Sequence, residues 1–195
     1  MKVKLENVIL SMPYLFEAKA FDADSDAKFS AHFLVEKNSP AMKVVVDAIQ
    51  AEAKALWKDA APGKLKAVKA AGKIWCLRDG DGKVDKNGEP FKGYAGRYFV
   101  SAKNTLRPTV VDGQRQPVDA ADGKVYAGCV VNAFIDVRAN AKPSDQVYAY
   151  LLGVQFVKDG ERLGGGAVAS ADDFEAIPGT EAAKGAETSV DDITF

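Results

Sequence analysis

One histidine and two cysteines are all that 195 residues hold of the commonest metal-binding and nucleophilic side chains. His32 has no GxSxG or comparable nucleophile setting around it, so a structural role is expected. Cys76 and Cys129 stand alone, with no CxxC or Cys-His spacing, which argues against a disulfide framework or a zinc site and for buried, reduced thiols. Gly164-Gly165-Gly166 is not followed by Lys-Ser/Thr, and no GxGxxG opens a helix, so nucleotide-binding loops are missing and no cofactor is called for. Charges interrupt the apolar runs within about ten residues, short of the roughly twenty needed to span a bilayer. The opening Met1-Lys-Val-Lys-Leu-Glu lacks an apolar signal region and reads as cytosolic. No internal repeat is visible.

A net charge of −1 hides an uneven distribution. Residues 172–195 hold seven acids (Asp172, Asp173, Glu175, Glu181, Glu187, Asp191 and Asp192) against Lys184, a charge of −6, which leaves +5 on residues 1–171. The tail is rich in Ala, Gly, Thr and Glu and ends on Phe195. Such a segment buries too little apolar surface to offset its ordering entropy and is expected to be mobile. A tethered polyanion then competes with other polyanions for the basic body, at a concentration set by the tether. The expected division is a binding domain over 1–171 and a flexible acidic tail over 172–195, the alternative being a tail that only aids solubility.

Hydrophobic periodicity in the body is mostly that of strands. Val3 to Leu10 is a short strand candidate, which Ser11-Met12-Pro13 should end. Phe29, Ala31, Phe33 and Val35 alternate with Ser30, His32 and Leu34, predicting a strand with an aromatic core side. Asn38-Ser39-Pro40 offers a cap, and the stripe Met42, Val45, Val46, Ile49, Ala53, Leu56 and Trp57 predicts a helix over 40–59, stopped by Pro62-Gly63. Further strands are expected over 73–78, 94–103, 125–138 (the longest) and 148–157. In 125–138 the odd positions, Val125 to Val137, are all apolar and suit a barrel interior, while the even ones carry Tyr126, Asn132, Phe134, Asp136 and Arg138. Several strands, one substantial helix and no βαβ alternation predict a mainly β fold, an antiparallel barrel of the OB kind.

Asp79-Gly80-Asp81 with Asp85 and Glu89 suggests a cation loop, but Lys83 and Val84 stand where an EF-hand needs an oxygen ligand and a glycine. A hairpin turn is the better reading, and no metal is expected. Lys64, Lys66, Lys69 and Lys73 form a basic run with no acid in it, usually a solvated face. Aromatic and basic residues interleave: Tyr94, Arg97, Phe99 and Lys103 on one strand, Tyr126, Phe134 and Arg138 on another, with Lys73 and Arg78 nearby. Single-stranded nucleic acid is held by such pairs, bases stacking on rings and phosphates meeting cations. In strands, half of such aromatics are usually core. Phe134 is the hardest to assign there, because the other face of its strand is already apolar.

Four blocks, Leu77-Arg78-Asp79-Gly80-Asp81, Arg107-Pro108-Thr109-Val110-Val111-Asp112, Tyr126-Ala127-Gly128-Cys129-Val130-Val131-Asn132-Ala133 and Gly153 through Gly166, together resemble a tailed-phage family first catalogued as a domain of unknown function and regarded as single-stranded DNA-binding proteins. The resemblance runs over residues 3–175. It implies an OB-fold that coats single strands in phage replication or recombination, within the cytoplasm of the infected bacterial host. It is similar to acidic-tailed binding proteins of other phages, so Asp191, Asp192 and Phe195 are expected to dock replication partners. Homodimerisation is left open. Two competing functions are a magnesium nuclease using Asp79, Asp81 and Asp85, and a β-rich virion or adaptor protein.

Overall fold

In a computed structural model the described residues are 1–164, apart from 21, 24, 73–75 and 86. The acidic tail and Lys73 lie outside them. Seven strands form: β1 (Lys2–Lys19), β2 (Lys28–Glu36), β3 (Leu77–Asp79), β4 (Arg97–Asn104), β5 (Thr109–Val111), β6 (Val130–Asn140) and β7 (Gln146–Lys158). Two helices, α1 (Pro40–Trp57) and α2 (Ala61–Ala71), lie between β2 and β3. No helix among the described residues is long and apolar enough to cross a membrane.

The sheet runs β3-β4-β2-β1-β6-β7-β5, and β4 also pairs with β7, so β1, β2, β4, β7 and β6 close into a five-stranded barrel. Its pairs are antiparallel except at the closing seam, where Ala102 of β4 lies parallel to Ala149 of β7. This is the OB arrangement that the strand pattern predicts. Leu5, Leu10, Leu15, Phe33, Val100, Val131, Ala133, Ile135, Val137 and Leu151 fill the interior, all fully buried. The odd-numbered file of β6 does face inward.

β1 is far longer than expected, because Pro13 does not end it. Left-handed backbone at Asn7 (φ 54°) and Met12 (φ 47°) accompanies register shifts at Leu5/Val8 and Ser11/Tyr14. Pairing resumes beyond each irregularity, so one strand can bend around two sides of a barrel. The predicted strand over 125–138 begins only at Val130, residues 125–129 being a turn, and β1, not β6, is the longest. Likewise β4 starts at Arg97 and not at Tyr94, and β3 covers only Leu77–Asp79.

Helix α1 starts as the sequence suggests: Ser39 Oγ accepts from Met42 N at 3.2 Å, and Pro40 opens the first turn. Its buried stripe, Ala41, Val45, Ala48, Ile49, Ala53 and Trp57, packs on β1 and β6. Pro62-Gly63 does not stop helical structure. Proline lacks only an N–H that a first turn leaves unbonded anyway, so Pro62 sits in the first turn of α2, which Gly72 (φ 65°) caps at its C-terminus.

After β7 the chain turns back over the 126–129 turn. A Cβ on Gly128 would lie 1.9 Å from Glu161 O, and one on Gly160 would lie 2.3 Å from Gly128 O. Gly128 also has φ 113°, which side-chain-bearing residues rarely adopt. Leu163 N donates to Ala127 O at 2.8 Å, which fastens the return. Gly128→Ala should therefore cost about 2 kcal/mol or more, roughly 5 °C or more in Tm for a chain of this size. Gly63→Ala, in an α2 position with nothing within 4 Å, should stabilise by about 0.5–1 kcal/mol. Paired thermal melts check both signs.

Candidate nucleic-acid interface

The outer face of the second and third barrel strands is where OB-folds usually take oligonucleotides. Here β2 and β4 pair in register along eight positions, from Phe29 opposite Asn104 to Glu36 opposite Arg97. Outward residues fall into rows across the strands: Leu34 with Phe99 and Arg78, His32 with Ser101, and Ser30 with Lys103. The two ends of this face have different fates.

At one end it is covered. The loop between β3 and β4 folds over it, so Tyr94 (1 % exposed) and Phe99 (2 %) are core with Leu34, flanked by Ile9, Phe91 and Leu163. The expectation that Tyr94 and Phe99 offer stacking faces to a base is corrected. Their rings meet each other edge-on at 5.2 Å, and His32 leans on Phe99 at 4.8 Å. Tyr94 Oη donates to Ser11 Oγ at 3.0 Å and lies 2.7 Å from His32 Nδ1. Burial, then Lys83 and Arg78 nearby, lower the His32 pKa to about 4, the structural role expected of it. Arg97 is also committed, its Nε donating to Glu36 at 2.7 Å and its Nη1 to Gly93 O at 2.9 Å. The carboxylates of this loop bond its own backbone. Asp79 accepts from Asp81 N, Asp81 from Gly96 N, and Asp85 from Asn87 N and Glu89 N. No group of three or more His, Cys, Asp or Glu among the described residues could hold a metal.

The other end is open. Beside the parallel seam β4 and β7 part, and Cys76 stitches the gap by donating to Val147 O at 3.1 Å and accepting from Ser101 N at 2.9 Å. Burial pushes the Cys76 thiol up to about 12, so it stays a neutral wall residue. The result is a groove of about 420 Å³, lined by Lys28, Arg78 and Lys103 on one flank and Tyr148 and Tyr150 on the other. None of its described lining residues is acidic. A cleft of about 440 Å³ beside α1 differs, since Glu6 and Glu36 stand in its wall and Lys4 is already bonded to Glu6 at 2.8 Å.

Tyr148 and Tyr150 project from the same side of β7, rings edge-to-face at 5.0 Å, and Tyr150 is 41 % exposed. Their hydroxyls approach to 3.5 Å, which together with burial pushes the Tyr148 phenol up to about 12. The Tyr148 ring is therefore neutral at working pH. Tyr14 is a further exposed ring, in register with Ser30 and carrying the Lys19 ammonium 5.1 Å over its face.

Of the nine expected DNA contacts, then, Arg78 and Lys103 meet in the groove. Arg138 stands opposite Tyr148, but its guanidinium is held by the buried Asp136, with Nη2 at 2.8 Å and Nε at 3.1 Å. Tyr126 is not a free platform: its hydroxyl bonds Asp159 and Gly160, and Arg162 covers its ring at 4.1 Å. Phe134 is exposed (49 %), as its parity suggests, but outside the groove. Lys73 lies outside the described residues. Lys28, Tyr148 and Tyr150 escaped the sequence reading, although Tyr148-Ala149-Tyr150, two rings alternating with a small residue, was a legible signal of one aromatic face.

His32 ties pH to the covered end. Its folded pKa of about 4 lies below the unfolded value of 6.5. Between these values the unfolded chain takes up a proton that the native one refuses, so stability is complete above pH 6.5 and is lost as pH falls. Between pH 7 and 5 the intact protein should lose about 2 kcal/mol more than His32→Gln. Urea melts of both at the two pH values measure the difference, and equal losses would contradict a buried neutral His32.

Known proteins resemble this chain over most of its length. The family model described as the ssDNA-binding protein of Enterobacter phage Enc34 matches residues 1–187. A protein p50 of Acyrthosiphon pisum secondary endosymbiont phage 1 is 35 % identical over 182 residues, 91 % of this chain and 94 % of that one. Among solved structures, the single-stranded DNA-binding protein of bacteriophage Enc34 in complex with ssDNA superposes with a TM-score of 0.65 at 26 % identity, over 84 % of this chain and 89 % of that one. The bacteriophage T7 single-stranded DNA binding protein gp2.5, at 14 % identity and a TM-score of 0.50 over 94 % of this chain and 98 % of that one, shares the fold.

Proposed function

Since the chain belongs to the family of the Enterobacter phage Enc34 ssDNA-binding protein, we propose that it is a non-enzymatic single-stranded DNA-binding protein whose strand enters the groove between β4 and β7. One observation carries the location: three cations and two tyrosines share that groove, and none of its described lining residues is acidic. Phosphates need cations and bases need ring faces, and hydrogen-bond readout of base edges is not required, so binding is largely indifferent to sequence. The role is protection of single strands during phage replication and recombination, in the cytoplasm of the infected host. Asp79, Asp81 and Asp85 do not support a nuclease, because their oxygens serve turns.

The acidic tail extends this reading. With −6 on residues 172–195 and +5 on the rest, it competes for the groove, while Asp191, Asp192 and Phe195 dock replication or recombination partners.

Binding to oligo-dT should weaken linearly on a log-log plot against salt, with a slope of about −0.7 per phosphate neutralised. Lys103→Ala should make that slope shallower by roughly one phosphate and weaken all sequences alike, whereas Tyr150→Ala should cost about 1–3 kcal/mol with the slope unchanged. Tyrosine and tryptophan fluorescence titrations read both, and a flat salt response would sink the groove assignment.

Deleting residues 172–195 should tighten DNA binding, most at low salt, where the Debye length is long enough for the tail to feel the groove. Phe195→Ala keeps the charge and should leave DNA affinity unmoved while abolishing partner capture. Binding curves at 50 mM and 300 mM salt separate competition from recruitment. No gain on truncation at 50 mM would mean that the tail only aids solubility.

A further inference from the structure

The groove accounts for neither Phe134 nor the hollow beside it. That hollow holds about 370 Å³ and is lined by Thr109, Val111, Arg115, Phe134, Leu152 and Gly153, among others. Phe134 lies opposite Gly153, a residue with no side chain to cover the ring, and a Cβ at Gly153 would already press on Thr109 O at 3.0 Å. Arg115, at the tip of the turn after β5, is the one charged residue among the described lining. It takes part in no ion pair among the described residues. Its left-handed backbone (φ 66°) sits in a turn whose Asp112 carboxylate accepts from Gln114 N at 2.8 Å and Gln116 N at 2.9 Å.

This hollow adjoins the groove. Tyr150 is in the groove wall, and Leu152, two residues on along the same strand, is in the wall of the hollow. From Tyr148 to Gln155 is about 23 Å of β7 at 3.3 Å per residue. Along it the rings come in the order Tyr148, half-buried, then the exposed Tyr150 and Phe134, cations flanking both ends: Lys28, Arg78 and Lys103 at one, Arg115 at the other. Lys4 stands across from Phe134 on its far side, in register from β1.

Resting on the groove reading above, we propose that the interface has two lobes, and that the same DNA strand leaves the groove past Tyr150 to stack a base on Phe134 and set a phosphate against Arg115. A docked protein would suit an apolar hollow too. Continuity with the groove and the single cation beside an open ring favour nucleic acid, since a ring and a cation are what each nucleotide needs.

The test is affinity as a function of oligonucleotide length, on the full chain. Tyr150→Ala should weaken dT6 and dT12 together, about five- to a hundredfold, because it removes a stacking face that both use. Phe134→Ala and Arg115→Ala should act selectively. Each should remove about fivefold or more of what the intact protein gains between dT6 and dT12, with melting temperatures unchanged because both positions are exposed. Loss of the same factor on both lengths would overturn the two-lobe assignment by making Phe134 part of one compact site. So would no loss on either length while Tyr150→Ala weakens both. A third contrary result would be a shift to smaller mass in sedimentation for Phe134→Ala without DNA, which would make the hollow a contact between copies. If intact protein binds neither length, the groove reading fails and the two-lobe assignment, which rests on it, falls with it.

Discussion

Closure of the barrel through a single parallel contact, Ala102 against Ala149, is the constraint on which the rest of the molecule depends. Four of the five barrel interfaces are antiparallel ladders, and the fifth is this one register pair. Two alanines let the strands approach without a side chain between them, and both are buried. Immediately beyond, the strands separate, and the hydrogen bonds they no longer give each other go to Cys76. Buried backbone groups must be paired somewhere, so the short segment at Cys76 is what lets the seam open without stranding them. The opening is the groove. What closes the fold and what makes room for a ligand are thus the same arrangement, and a larger residue at 102 or 149 would disturb both.

A second consequence concerns which aromatics are available. The β3–β4 loop lays Phe91 and Tyr94 over Phe99 of β4 and so covers half of the β2–β4 face, and full burial of a ring such as Phe99 is worth about 1.5–3 kcal/mol. A buried phenol is tolerable only if bonded, and Ser11 and His32 supply the partners. His32 must then stay neutral, as its depressed pKa records. The loop thereby leaves only the Lys28, Ser101 and Lys103 end of this face open, the end at which the proposed groove begins.

Much of this was legible in sequence and some was not, for definite reasons. The inward file of β6 could be read because a period of two with uniformly apolar odd positions has one burial solution. Phe134 followed from the same parity. Tyr94 and Phe99 were misread because parity places a side chain on the outer face and cannot say whether the preceding β3–β4 loop, which carries Tyr94 itself, will fold back over that face. Pro13 and Pro62 were misread because proline marks a place where a ladder bond is missing, which a bulge or a helix start accommodates as well as a break. The blocks that carry the family resemblance turn out to be places of close backbone approach. Gly80 lies where a Cβ would meet Tyr94 O at 2.4 Å, while Gly128 packs on the backbone of Glu161 and Gly160 on that of Gly128. They record how the chain crosses itself more than where it meets DNA.

The distribution of charge separates attraction from binding. Many cations of the body are already matched: Lys37 with Asp81, Lys43 with Asp47, Lys64 with Asp145, Lys92 with Glu161, Arg97 with Glu36 and Arg138 with Asp136. Lys58, Lys66 and Lys69 on the helical side have no such partner among the described residues, and neither do Lys28 and Lys103. The helices, however, carry Trp57 as their one aromatic, and it is buried. A polyanion near α2 feels a field that raises its local concentration but finds no ring on which a base could rest. At the groove the same sign of charge stands beside two tyrosines. Long-range attraction belongs to the whole basic body and fades with salt, whereas on the proposed reading retention belongs where cations stand beside exposed rings, at Tyr150 in the groove and Phe134 in the adjoining hollow. On the proposed reading, a strand drawn to any part of the surface is held along β7, from the groove to the hollow, which would let a protein with little sequence preference still bind in a fixed orientation.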